Sequence, residues 1–81
     1  MSKKVEIYST ASCHFCHMAK EFFKVNNVPF TDYNVGTDME KRREMIDKSG
    51  QMGVPVIVID DDKVIVGFDQ PKLANLLGVS M

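Results

Sequence analysis

Cys13-His14-Phe15-Cys16 lies between a strand-like run, Val5-Glu6-Ile7-Tyr8, and a helix-like run from His17 to Asn26. The chain has no other cysteines. The N–H groups at a helix N-terminus favour negative charge, so a cysteine placed there forms its thiolate more readily. The thiolate is the species that attacks a disulfide, and a second thiol one turn further on can close on the first. The motif and its placement therefore predict dithiol–disulfide exchange at the start of a helix.

The two cysteines are expected to differ in role. Cys13 lies at the strand-to-helix turn, so we expect it to be the more exposed and the more acidic thiol. Cys16 lies one turn inside the helix and is expected to be more buried. Cys13 would then attack the substrate, and Cys16 would resolve the mixed disulfide. A purely structural disulfide is disfavoured, because a bridge across so few residues constrains little of the unfolded chain.

Two metal-based interpretations of the motif are weaker. Zinc takes about four ligands, and Cys13, His14, Cys16 and His17 are too close in sequence to surround one ion tetrahedrally. The same residues fit C-x-x-C-H, the haem c attachment pattern, with His17 as an axial ligand. The β-branched runs elsewhere do not suit a small helical cytochrome, so we expect no metal. His17 could also act on the Cys13 thiolate, although a solvent-exposed helix histidine is the favoured interpretation.

Length and composition limit the class of protein. A chain of 81 residues predicts one small domain over 1–81. The net charge is −1 with acids and bases intermixed, which predicts no nucleic-acid partner. The sequence has neither an apolar signal core nor a stretch that could span a membrane. We therefore expect a monomer in the cytoplasm, a reducing compartment where a C-x-x-C pair is more often catalytic or metal-binding than structural.

Hydrophobic periodicity and turn residues predict the element order βαβαββα. The first helix should bury an apolar face, and a second strand should follow from Phe30 to Val35. Thr37 with Glu40 has the pattern of a capping box, so Thr37 is predicted to cap a second helix that ends near Lys48, before Gly50. The apolar face of the first helix is predicted to comprise Phe15, Ala19, Phe22, Phe23 and Val25.

The last third of the chain predicts a hairpin and a helix. Val56-Ile57-Val58-Ile59 is a β-branched run typical of a central strand, and 60–62 is a turn before the partner strand Val64-Ile65-Val66. Asp69 is placed to cap the last helix, with Pro71 in its first turn and Gly78 as its end. The inward positions of that helix are predicted to be Leu73, Leu76 and Leu77.

Two further segments carry candidate site residues. Pro55 opens a strand, where it cannot donate to the ladder. We expect a cis bond between Val54 and Pro55 that exposes the backbone of Val54 to an extended peptide. Gly67-Phe68-Asp69 precedes the last helix, whose N-terminal N–H groups can receive a carboxylate, while Asp69 can hold an ammonium group. An ordinary capping role for Asp69 is equally compatible with this pattern.

Taken in order, these motifs resemble those of the glutaredoxin family, in the thioredoxin-fold superfamily. The resemblance covers nearly the whole chain. It is carried by the first strand, the Cys-x-x-Cys-His motif, and several short segments further on. These segments are Ala19-Lys20, Lys48-Ser49-Gly50, Val54-Pro55, Ile59-Asp60 and Gly67-x-Asp69.

The resemblance implies an α/β, thioredoxin-like (glutaredoxin) fold with a four-stranded mixed sheet flanked by three helices. It implies a thiol–disulfide oxidoreductase that acts on protein disulfides and glutathione mixed disulfides, with glutathione as co-substrate and no bound cofactor. Its partners would be glutathione and disulfide-containing or glutathionylated proteins. Cys13 and Cys16 would be catalytic. The implied substrate and glutathione site comprises His14, Phe15, Gln51, Val54, Pro55, Gly67, Phe68 and Asp69.

The chain also departs from the family pattern. His14-Phe15 replaces the usual Pro-Tyr between the cysteines, and Thr10 stands where a lysine usually grips a glutathione carboxylate. Gly53 replaces the usual Thr before Val54-Pro55. Val66-Gly67-Phe68-Asp69-Gln70 has lost one glycine and one acid of the family's Gly-Gly-x-Asp-Asp. Gly67-Phe68 is similar to glutaredoxin-like redoxins that take electrons from thioredoxin reductase and serve ribonucleotide reductase. That role, and iron–sulfur cluster transfer, are the alternatives.

Overall fold

The structure is a computed structural model that describes residues 4–79. Four strands and three helices follow one another in the predicted order βαβαββα. The elements are β1 (Val5–Ser9), α1 (His14–Val25), β2 (Thr31–Asn34), α2 (Met39–Ser49), β3 (Val56–Ile59), β4 (Lys63–Val66) and α3 (Gln70–Leu77).

The four strands form one mixed sheet in the order β2-β1-β3-β4. β1 pairs with β2 in parallel, whereas β1 with β3 and β3 with β4 pair antiparallel. β1 and β3 are therefore central, as the β-branched sequence of β3 predicts, and every residue of both strands is buried. The carboxyl ends of β1 and β4 and the amino end of β3 meet at one edge of the sheet.

Helices cover both faces of this sheet. Alternation along the strands directs Ile7 and Ile57 towards one face and Tyr8 and Val56 towards the other. The first face packs against α1 and α3, through residues that include Phe23. The second face packs against α2, and the buried residues of that core are Tyr8, Val35, Met45, Val56 and Val58.

Two helix starts differ from the sequence-based predictions. α1 already begins at His14, three residues before the predicted run. Asp38, not Thr37, caps α2, since its Oδ1 accepts a hydrogen bond from Lys41 N at 3.1 Å. The Thr37 hydroxyl instead donates to Asn34 O at 3.4 Å. Asp and Thr are both good caps, so the sequence alone does not separate two such neighbours.

The predicted apolar face of α1 is partly wrong. Ala19, Phe22 and Phe23 are buried as expected, but Phe15 is 57% exposed and Val25 is 71% exposed. The buried face of α1 also includes Cys16, whereas these two side chains lie outside that face and reach solvent. The predicted ends of the other two helices are confirmed. Gly50 and Gly78 terminate α2 and α3 with φ of 73° and 68°, a conformation that glycine adopts without steric penalty.

Hydrogen bonds between tyrosines and carboxylates link α2 and β2 to β1. Tyr8 OH donates to Glu44 Oε1 at 2.7 Å, and Tyr33 OH donates to Glu6 Oε2 at 2.7 Å. Burial and the bond to Glu44 raise the pKa of Tyr8, while the bond to Glu6 and burial raise the pKa of Tyr33 to about 12. Hydrogen bonding to Tyr8 lowers the pKa of Glu44. The neutral phenols are therefore the stable forms in the fold.

Candidate redox site

Cys13 is the N-cap of α1. Its Sγ accepts a hydrogen bond from Cys16 N at 3.1 Å, and its carbonyl oxygen accepts the first helical bond, from His17 N at 3.2 Å. The sulfur of Cys13 therefore lies among the unpaired N–H groups of the helix terminus, where a thiolate is stabilised. This is the position that the motif predicts.

Cys16 has the more protected position, as expected. Its exposure is 0%, whereas Cys13 is partly exposed, and the two sulfurs are joined in a disulfide. An incoming molecule can therefore reach Cys13 from solvent, while Cys16 is approached through Cys13. This asymmetry suits attack by one sulfur and intramolecular closure by the other.

The histidines and the phenylalanine of the motif face solvent. The rings of His14 and Phe15 contact each other edge to face, with centroids 5.7 Å apart. His17 is exposed, and its Nε2 lies 2.9 Å from Ala11 O, so Nε2–H donates to that carbonyl. His17 therefore fastens the turn that precedes Cys13.

A polar cluster behind the motif was not found from the sequence. The hydroxyl of Ser9, which is 2% exposed, donates to Asp32 Oδ1 at 2.6 Å. Lys20 Nζ donates to Asp32 Oδ2 at 3.0 Å and to Ser9 Oγ at 3.4 Å. Lys20 lies one helical turn after Cys16, which places both on the inner side of α1. The cluster thus connects the end of β1 and the interior of β2 to the second turn of α1.

The proline segment reaches the same edge of the sheet. The Val54–Pro55 bond is cis, as expected. Because Tyr8 pairs with Val56, Pro55 lies beside Ser9, four residues before Cys13. Gly67 N donates to Pro55 O at 2.8 Å, so Gly67 also lies at this edge.

Three further candidate residues form contacts within the protein. The Gln51 side chain is occupied by its own loop, because Oε1 accepts from Gly53 N at 2.6 Å and Nε2 donates to Gly53 O at 3.0 Å. Phe68 packs edge to face on Phe22 of α1, with centroids 6.0 Å apart. Asp69 caps α3 by accepting from Lys72 N at 3.2 Å, and it remains exposed.

Residues 4–79 contain no group of three or more His, Cys, Asp or Glu side chains placed to hold a metal ion. Within the same range, none of the helices has the length and apolar character needed to cross a membrane.

The fold and the disulfide-bonded pair at a helix N-terminus define a thioredoxin-like redox protein. The sequence profile of the family described as Glutaredoxin matches residues 5–65. The chain belongs to the glutaredoxin family.

Curated relatives agree with this assignment. The chain is 45% identical over 73 residues to the uncharacterized glutaredoxin-like 8.6 kDa protein in the rubredoxin operon of Clostridium pasteurianum, covering 90% of this chain and 96% of that protein. It is 41% identical over 56 residues to glutaredoxin 3 of Escherichia coli (strain K12), covering 69% of this chain and 68% of that protein.

Among solved structures, the fold is similar to that of NrdH-redoxin from Escherichia coli, a glutaredoxin-like protein described as having a thioredoxin-like activity profile. The TM-score is 0.77 at 26% sequence identity, and the match covers 96% of this chain and 99% of that one.

Proposed function

We propose that this protein is a thiol–disulfide oxidoreductase that reduces protein disulfides and glutathione mixed disulfides. The observation that carries the proposal is the Cys13–Cys16 disulfide at the N-terminus of α1, with Cys13 partly exposed and Cys16 buried. In the reduced protein, the Cys13 thiolate attacks one substrate sulfur and the other leaves as a thiolate. Cys16 then attacks the sulfur of Cys13. The second substrate sulfur leaves, and two electrons and two protons have passed to the substrate.

We propose glutathione as the co-substrate, held beside Cys13 by the Val54 backbone and the start of α3. The peptide N–H and C=O of Val54 can pair with an extended tripeptide. Val54 precedes β3, at the edge of the sheet where Cys13 lies. The carboxylate of Asp69 is exposed and can receive the ammonium group of glutathione. His14 and Phe15 follow Cys13 and are exposed, so both can contact a substrate bound there. No prosthetic group is needed for this exchange.

A second candidate electron donor is thioredoxin reductase. Two features favour it: Thr10 and Gln70 stand where the family usually has a cation and an acid, and the fold is similar to a redoxin with a thioredoxin-like activity profile. A hydrogen bond to a charged group contributes roughly 1.5–3 kcal/mol. Loss of one such contact would weaken glutathione binding by up to about a hundredfold, because about 1.4 kcal/mol is tenfold.

One assay separates the two donors. Reduction of a mixed disulfide between glutathione and a peptide is followed with NADPH, glutathione and glutathione reductase, and in parallel with NADPH and thioredoxin reductase. Turnover in the first assay supports the proposal. Turnover in the second assay alone would assign the protein to the thioredoxin-reductase-coupled redoxins, and turnover in neither would contradict the oxidoreductase proposal.

The variant Thr10→Lys tests the glutathione site itself. The methyl group of Thr10 lies close to Gly36. A Cβ atom built on Gly36 would be 3.7 Å from that methyl group. A lysine at this position restores a cation near Cys13, so we expect a lower KM for the glutathionylated peptide and an unchanged rate with thioredoxin reductase. An unchanged KM would mean that position 10 does not face bound glutathione.

A further inference from the structure

A shallow apolar groove of about 340 Å³ lies along α1, beside the loop between β4 and α3. Its apolar lining residues are Met18, Phe22, Val25 and Phe68. Phe22 and Phe68 form the fixed part of the groove, since they pack edge to face and Phe22 is only 8% exposed. Met18 and Val25 are 40% and 71% exposed. Apolar side chains that line one groove can bury an apolar side chain of a partner.

The groove reaches the edge of the sheet where the redox site lies, because Phe68, in its lining, follows Gly67 at that edge. Phe15, between the two cysteines, is 57% exposed. Met18 follows it by three residues, so the two side chains are neighbours on one face of α1. A protein that brings a disulfide to Cys13 can contact Phe15, which is exposed two residues further on. Met18 lines the groove, so a substrate segment next to the disulfide can extend into it.

The groove also carries a negative charge. Glu21 is the charged residue among those that line it. Its carboxylate forms no ion pair within the part of the chain that the structure describes, which contains several other acid–base pairs. A ligand that carries a lysine or an arginine beside an apolar side chain would complement both features.

We propose that this groove binds an extended segment of the protein whose disulfide is reduced at Cys13. An apolar side chain of the segment fills the space between Met18 and Phe68, and a neighbouring lysine or arginine pairs with Glu21. From Cys13 to Phe22 the helix rises about 14 Å, which an extended chain spans in about four residues. The recognised residue therefore lies about four positions from the substrate cysteine. This inference rests on the proposed function.

The test measures the rate of one round of oxidation of the reduced protein, which needs no electron donor. Reduced protein is mixed with hydroxyethyl disulfide or with one of two peptide disulfides, and the reaction is acid-quenched and followed by mass. The peptides are disulfide-linked homodimers that carry a lysine and, four residues after the cysteine, either leucine or serine. We expect the wild type to react about tenfold faster with the leucine peptide than with the serine peptide, since the leucine side chain is buried.

Met18→Gln should remove most of this preference while leaving the rate with hydroxyethyl disulfide unchanged. Met39→Gln is the matched control, because Met39 is also exposed, at 56%, but lies at the start of α2 on the opposite face of the sheet. Methionine and glutamine have similar helix propensities, so both variants should fold equally well. Glu21→Gln should slow the reaction with the lysine-bearing peptide and not with a version that has glutamine in place of lysine.

The outcomes separate the groove from the redox function. A wild-type protein that fails to oxidise with any of the disulfides would contradict the proposed function. A wild type that reacts with all three disulfides but does not prefer the leucine peptide would contradict the groove proposal alone. An equal preference for the leucine peptide in Met18→Gln and Met39→Gln would do the same. A dimer in sedimentation that Met18→Gln dissociates would assign the groove to a second copy of the chain and would also overturn the proposal.

Discussion

At the scale of single residues, the two sulfurs differ in what surrounds them. Cys13 is partly exposed and accepts a backbone N–H, whereas Cys16 is fully enclosed. We predict that Cys13→Ser abolishes exchange, since no other accessible thiol can attack. Cys16→Ser should still form a mixed disulfide with glutathione, which mass spectrometry of the intact protein would detect, but should lose intramolecular closure. Retained exchange in Cys13→Ser together with loss in Cys16→Ser would reverse the two roles.

The phenylalanines of α1 are chemically equal and differ in burial. Phe23 is 0% exposed in the core against the sheet, whereas Phe15 is 57% exposed. We predict that Phe23→Ala lowers the free energy of unfolding by about 3–5 kcal/mol, and that Phe15→Ala changes it by no more than about 0.5 kcal/mol. Urea unfolding of the two variants measures both values. Similar losses would mean that Phe15 contributes to the core after all.

At the scale of elements, two aspartates perform the same capping task at different places. Asp38 caps α2 and Asp69 caps α3, each through one backbone N–H. Replacing either with alanine should lower the free energy of unfolding by about 1 kcal/mol. Only Asp69→Ala should also raise the KM for a glutathionylated peptide, because Asp69 lies in the proposed glutathione site. Asp38→Ala is therefore the matched control, and equal KM values in the two variants would remove Asp69 from that site.

The bond between β2 and β1 through Tyr33 and Glu6 predicts a loss of stability at alkaline pH. The fold raises the pKa of Tyr33 from 10.0 to about 12, so the unfolded chain releases this proton first. The stabilisation is complete below pH 10.0 and disappears as the pH rises towards about 12. Urea unfolding across this range should show a steeper loss for the wild type than for Tyr33→Phe. An equal dependence of the free energy of unfolding on pH in the two proteins would contradict a stabilising bond between Tyr33 and Glu6.

At the scale of the whole molecule, the fold and the dithiol were predictable from local patterns. Alternating and β-branched runs predict β1 and β3, and the C-x-x-C pair predicts the position of the redox site. Long-range side-chain contacts were not predictable. The pairing of Lys20 with Asp32 and Ser9 depends on how α1 lies on the sheet, which no spacing in the sequence encodes. The Gln51 amide, expected in the glutathione groove, bonds instead to Gly53, two residues away. That contact is local, but the sequence does not determine which rotamer a flexible side chain adopts.

The placement of α2 alone on one face of the sheet has a consequence for engineering. The proposed catalytic and glutathione-binding residues follow β1, precede β3 or lie at the starts of α1 and α3. Glu40, Arg43 and Asp47 are exposed on α2, at a spacing that places them along one stripe. A library randomised at these three positions should yield binders to chosen targets that keep their disulfide chemistry. The protein thus offers a small scaffold that would carry reducing equivalents to a chosen target molecule.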